Sequence, residues 1–137
     1  MADRIRKADY FYVQVPNRAG EGARMLATLR DNGVNLLAFT GFPNGRKTQV
    51  DFVPENAAAL RRAANKMKLN LGKRKTVFLV QGGDRVGALA GLLGKLAAAR
   101  INITAMQAVT GGKSRYGAIF WVKPDNVTRA ARVLGAR

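Results

Sequence analysis

The chain has 137 residues, with 24 Lys plus Arg against 8 Asp plus Glu, a formal net charge of +16 at pH 7, and neither His nor Cys. Zinc and haem ligation and most acid–base or nucleophilic chemistry near neutral pH draw on those two side chains, so the inventory points away from an enzyme and from any metal or other cofactor. No run approaches the ~20 apolar residues of a membrane span, and residues 1–9 lack the apolar core of a signal peptide, so the expectation is a cytoplasmic protein with no membrane partner.

In chain order, residues 10–15 form an aromatic and β-branched run of strand length. A turn rich in Asn and Gly follows, and residues 20–32 set Met25, Leu26 and Leu29 on one side at helical spacing, with Gly33 closing the helix. Strands are expected at 34–40 and 48–53, joined by a loop at Pro43-Asn44-Gly45. After Pro54 a second helix carries Ala57, Leu60, Ala64 and Met67 on one face, and 68–71 offers a short fourth strand. The order then starts again. A strand at 76–81 leads through a Gly-rich turn to a helix over 86–99 with Leu89, Leu92, Leu93 and Leu96 in line. Arg100 stands where Gly33 stood and is read as needing no left-handed cap. Strands at 101–109 and 117–122 flank a loop at Gly111-Gly112, and Pro124 precedes a last helix bearing Val127, Ala130, Ala131 and Leu134.

This recurrence is a repeat. A shift of 67 residues pairs Val13-Gln14 with Val80-Gln81, Arg18 with Arg85, Gly20 with Gly87, Asn35 with Asn102 and Ala38 with Ala105; a three-residue lengthening of one loop then brings Pro54-Glu55-Asn56 onto Pro124-Asp125-Asn126. Two units are expected, 1–72 and 73–137, each β-α-β-β-α. The fold class that follows is α+β, two tandem ferredoxin-like units with antiparallel sheets and helices on one face. The second unit has no sequence left for a closing strand.

Two motifs carry a family resemblance: Val15-Pro16-Asn17-Arg18-Ala19-Gly20 followed by Gly33-Val34-Asn35-Leu36, and Asp84-Arg85-Val86-Gly87-Ala88-Leu89 followed by Ile101-Asn102-Ile103. In these residues the chain resembles tandem ACT domains, whose pattern is Asp-Arg-Pro-Gly at the first turn and Gly-Val-Asn-Ile entering the second strand. The resemblance extends over residues 9–137. It implies a regulatory, non-catalytic protein that binds an amino acid or similar effector at a domain interface. Asn17 stands for the family's acid, and Ala19 and Val86 replace its Pro.

A site at these turns also has a physical basis. The first turn of a helix presents unpaired N–H groups and a partial positive charge, which favours a carboxylate by roughly 0.3–1 kcal/mol at exposed positions. The candidate ligand contacts are Asn17, Arg18, Ala19, Gly20 and Asn35 in the first copy and Asp84, Arg85, Val86, Gly87 and Asn102 in the second. Asp84 would pair with an α-ammonium and Asn17 would offer a neutral counterpart. Simpler roles stand beside these: Asn17 and Asp84 as helix caps, Gly20 and Gly87 as turn formers, Asn35 and Asn102 as local backbone bonders, Arg18 and Arg85 as solvated charges.

Nucleic acid is the competing partner. Its warrants are the charge, densest at Lys66, Lys68, Lys73, Arg74 and Lys75, and the run from Arg115 to Val122, which resembles the aromatic stacking strand of RNA-recognition modules. Strand parity opposes it. With Asp51 facing away from the helices, Phe120 and Phe78 turn inward and only Trp121 is left to meet a base. The same parity gives the second copy an apolar outer face, Val77, Leu79, Ile119 and Trp121 with Met106, which must be covered by the sister repeat or by a second chain in a two-fold homodimer. A structural protein with vestigial sites is the third alternative.

Overall fold

The computed structural model describes residues 3–137. Six strands and four α helices make an α+β fold: β1 Arg4–Pro16, α1 Glu21–Asp31, β2 Leu36–Asn44, β3 Lys47–Pro54, α2 Ala57–Lys66, β4 Lys75–Gly83, α3 Ala90–Ala98, β5 Ile103–Gly112, β6 Arg115–Val122 and α4 Val127–Leu134, the last preceded by a 3-10 turn at Pro124–Asn126. All the expected helices and strands are present except the one at 68–71, which makes no ladder; only the Gly72 N–H donates to Tyr12 O, at 3.0 Å.

Two compact units result. One is Asp9–Lys75; the other joins Thr76–Arg137 with the start of the chain up to Ala8. The first unit has strand order β2-β3-β1, its pairs antiparallel. Phe11, Val13, Val15, Val50 and Phe52 meet Met25 and Leu29 of α1 and Leu60 and Ala63 of α2 in its core. In the second unit the order is β1-β4-β6-β5, and Phe78, Val80, Phe120 and Val122 pack with Leu92 and Leu96 of α3 and Ala130 and Ala131 of α4. The expected boundary after residue 72 therefore moves. Residues 4–8 provide the strand that the second copy's own sequence lacks, Ile5 packs on its core, and Lys7 N–H donates to Arg137 O at 2.9 Å.

Strand pairing redistributes the expected offset of 70. Phe11 lies opposite Phe52 and Phe78 opposite Phe120, so the third strands are related by 120 − 52 = 68 residues, not 70. One added residue falls in the hairpin, and two more precede α4, whose Asn126 matches Asn56 at 70. Two residues is an even shift, so inward and outward faces keep their assignment. Phe78 and Phe120 are fully buried and stacked on each other, ring centroids 4.9 Å apart.

The outer faces differ from expectation. Val77, Leu79, Ile119 and Trp121 are all 9% exposed or less. Met106 belongs to the helix side: it sits opposite Phe120 and packs on the inner core, because a register irregularity between Ile103 and Ala105 shifts β5. Asp51 does face away from the helices, yet it is buried, accepting bonds from Thr40 Oγ1 at 2.9 Å and Gln49 Nε2 at 3.1 Å.

Candidate functional site

β1 ends at Pro16 because Pro has no N–H to continue the ladder, and Arg18 N–H turns back to Pro16 O at 3.0 Å. Gly20, at φ 91°, then starts α1 in the left-handed region that glycine enters without strain. No side chain caps α1, so Asn17 is not a helix cap. Asn17, Arg18, Ala19 and Gly20 are all exposed, and nothing lies within 4 Å of where a Gly20 Cβ would stand. The turn is open.

Its charges are held by one acid. Glu21, the first residue of α1, lies 3.0 Å from Arg24 and 3.5 Å from Arg18, and the Arg24 bond foremost holds its carboxyl below the ordinary value. Sequence reading passed over Glu21, though its place directly after the turn glycine was the available signal. Arg18 stays 69% exposed. Asn35 is drawn elsewhere: its amide donates to the Glu55 carboxylate at 3.1 Å while Glu55 N–H donates to Asn35 O at 2.9 Å, a reciprocal pair of bonds between β2's entrance and the end of β3.

The second turn is built differently. Asp84 N–H is tied to Ser114 O at 2.8 Å in the β5–β6 hairpin, Gly87 takes φ 69°, and α3 begins only at Ala90, again without a side-chain cap. Asp84, Arg85, Val86, Gly87 and Asn102 are exposed, Val86 completely. Arg85, however, is paired. Its guanidinium donates to both carboxylate oxygens of Asp3, at 3.1 and 3.2 Å, and to Gly83 O at 2.8 Å. The bond to Arg85 holds Asp3 below its ordinary carboxylate value. Beside them the Tyr116 hydroxyl is buried, outside hydrogen-bond geometry, and its pKa is pushed up by burial first and then by Asp3. Asp3, 82 residues away in sequence, was invisible to a search for local motifs.

Among the described residues, no three His, Cys, Asp or Glu side chains gather as a metal site, and no helix is long and apolar enough to cross a membrane.

No protein-family profile and no curated protein matches the chain. Solved structures do. A protein from Bacteroides thetaiotaomicron superposes with a TM-score of 0.78 at 16% identity, over 97% of this chain and 88% of that one. The ligand-free regulatory subunit of aspartate kinase from Thermus thermophilus gives 0.64 at 15% identity, over 98% and 93%, and the corresponding subunit from Thermus flavus gives 0.60 at 16%, over 98% and 94%. At such identities the likeness shows the fold alone, one shared with these regulatory subunits.

Proposed function

We propose that the chain is a non-catalytic regulatory protein, two ferredoxin-like ACT units in one polypeptide, that binds a small carboxylate-bearing effector, first of all an amino acid, at the turn before α1. The observation that carries this reading is the open turn at Gly20: an uncapped helix start with a positive-φ glycine and free space around it. Backbone N–H groups there receive a carboxylate. Glu21 takes the ammonium role for which Asn17 lacks the charge. The fold shared with regulatory subunits of aspartate kinase supports the regulatory half of the reading, and a homodimer is carried as part of it.

A thermal-shift panel of free amino acids tests it. A ligand that binds only the native state adds about 2.7 kcal/mol at a hundred times its Kd, so one amino acid should raise the melting temperature progressively with concentration, and Glu21→Gln should abolish that rise. A flat response to every amino acid rejects the reading. Sedimentation at several concentrations decides the dimer.

The nucleic-acid reading keeps one observation in its favour. Between Glu55 and Asp84 there are seven basic residues and no acid. Retention of RNA that falls steeply with salt, without any small-molecule response, would favour it.

A further inference from the structure

The two turns share a motif but not a surrounding. In the first copy Val15 precedes Pro16 where the second copy has Gly82 before Gly83, and Val15 pairs across the ladder with Thr48, whereas Gly82 pairs with Tyr116. The missing side chain at Gly82 makes room: a Cβ there would collide with the Asp3 carboxylate and stand 2.9 Å from Tyr116 Cε1. Into that room comes Asp3, with a side chain only 13% exposed, to meet the Arg85 guanidinium through two oxygens. A planar fork receiving both oxygens of a carboxylate is the geometry by which arginine recognises a free acid.

We propose that Arg85, in the space left by Gly82 beside the Tyr116 ring, forms a carboxylate-binding site that the chain's own Asp3 occupies, so that the second copy is self-liganded and the first copy alone is open to an external acid. The occupancy at Arg85 stands on these contacts, and only the assignment of the effector to the first copy rests on the preceding reading. Among the described residues Arg18, the repeat partner of Arg85, has no such occupant, and it meets Glu21, three residues on, at 3.5 Å. Asp3 reaches Arg85 from the other end of the sequence and is therefore a tethered guest at high effective concentration, which a free acid at ordinary concentration does not displace.

Chemical rescue tests this without knowledge of the natural effector. Asp3→Ala is expected to melt at lower temperature and to recover with added formate or acetate, saturably, relative to chloride at equal ionic strength. Wild type and the Asp3→Ala/Arg85→Gln double variant, in which only the first copy is free to take an acid, are expected to share one smaller response beyond the chloride control. Equal responses in all three proteins, or none in Asp3→Ala, overturn the proposal. Should Asp3→Ala not fold, the same comparison is made on Asp3→Ser, which also vacates most of the space beside Gly82; absence of a carboxylate-specific response there is equally decisive against it. Calorimetry on wild type with any amino acid found by thermal shift is expected to give one site per chain. Two equivalent sites would overturn self-occupancy while leaving the effector reading intact, and carboxylate rescue without any amino-acid binding would do the reverse.

Discussion

Arg100 closes α3 as Gly33 closes α1, and both stand in the left-handed region, at φ 58° and 70°. The bonding is the same at the two ends. Val34 N–H reaches Leu29 O and Ile101 N–H reaches Leu96 O, both at 2.9 Å, while Gly33 and Arg100 bond to the carbonyls three residues back. A residue with a Cβ is disfavoured there, whereas glycine is not. Replacing Arg100→Gly should therefore stabilise the protein by about 1 kcal/mol, after allowance for the greater freedom of glycine in the unfolded chain. Urea unfolding should show a higher midpoint at unchanged m, and an unchanged or lower midpoint would count against it. The sequence could not reveal this conformation because arginine is chosen for neither turn nor cap. Asp51 shows the opposite case. Alternation along β3 correctly turned it from the helices, but alternation tells which face a residue is on, not what shields that face, and so its burial with Thr40 and Gln49 was out of reach.

Hairpins show the same limit one level up. Gly111-Gly112 looks like a loop, yet β5 runs through it, and the ladder closes at the pair Gly112–Arg115 with Lys113 and Ser114 between. Those two residues have φ 55° and 57°. Positive φ at both central positions is the type I′ signature, for which Asn-Gly is the favoured pair and Lys-Ser is not. Lys113→Asn with Ser114→Gly should raise stability by roughly 1 kcal/mol and leave the strand register unchanged. A thermal scan checks the first; backbone amide shifts of β5 and β6 check the second. Helix limits were legible where a glycine set both the end and the pattern, as in α1, and illegible in α3, whose apolar spacing continues smoothly through Gly87 while the backbone there is not helical. Periodicity reports which side chains share a face, and a left-handed residue leaves it untouched.

At the scale of the chain, the decisive element is β1. Its thirteen residues contribute up to Ala8 to one unit and from Asp9 onward to the other. Residues 4–9 hold only Ile5 and Ala8 as apolar members among three basic groups, so they do not look like a strand, and their pairing lies more than 60 residues away. The repeat itself, the order of elements and both turns could be read from the sequence because they are local and occur twice. The strand that completes the second unit occurs once and is defined by what it pairs with. Removing residues 1–8 should accordingly be felt unequally. It deletes Ile5 from the core that contains Phe78 and Phe120, the bond from Lys7 to Arg137 and the Asp3 contact with Arg85, while the core around Phe11 and Phe52 keeps every member. Hydrogen exchange followed by mass spectrometry should show protection lost in β4 and α4 of the truncated chain and retained in β2 and β3. Equal loss in both units would mean that they open as one, and no loss in β4 would mean that the N-terminal strand contributes nothing to the unit it completes.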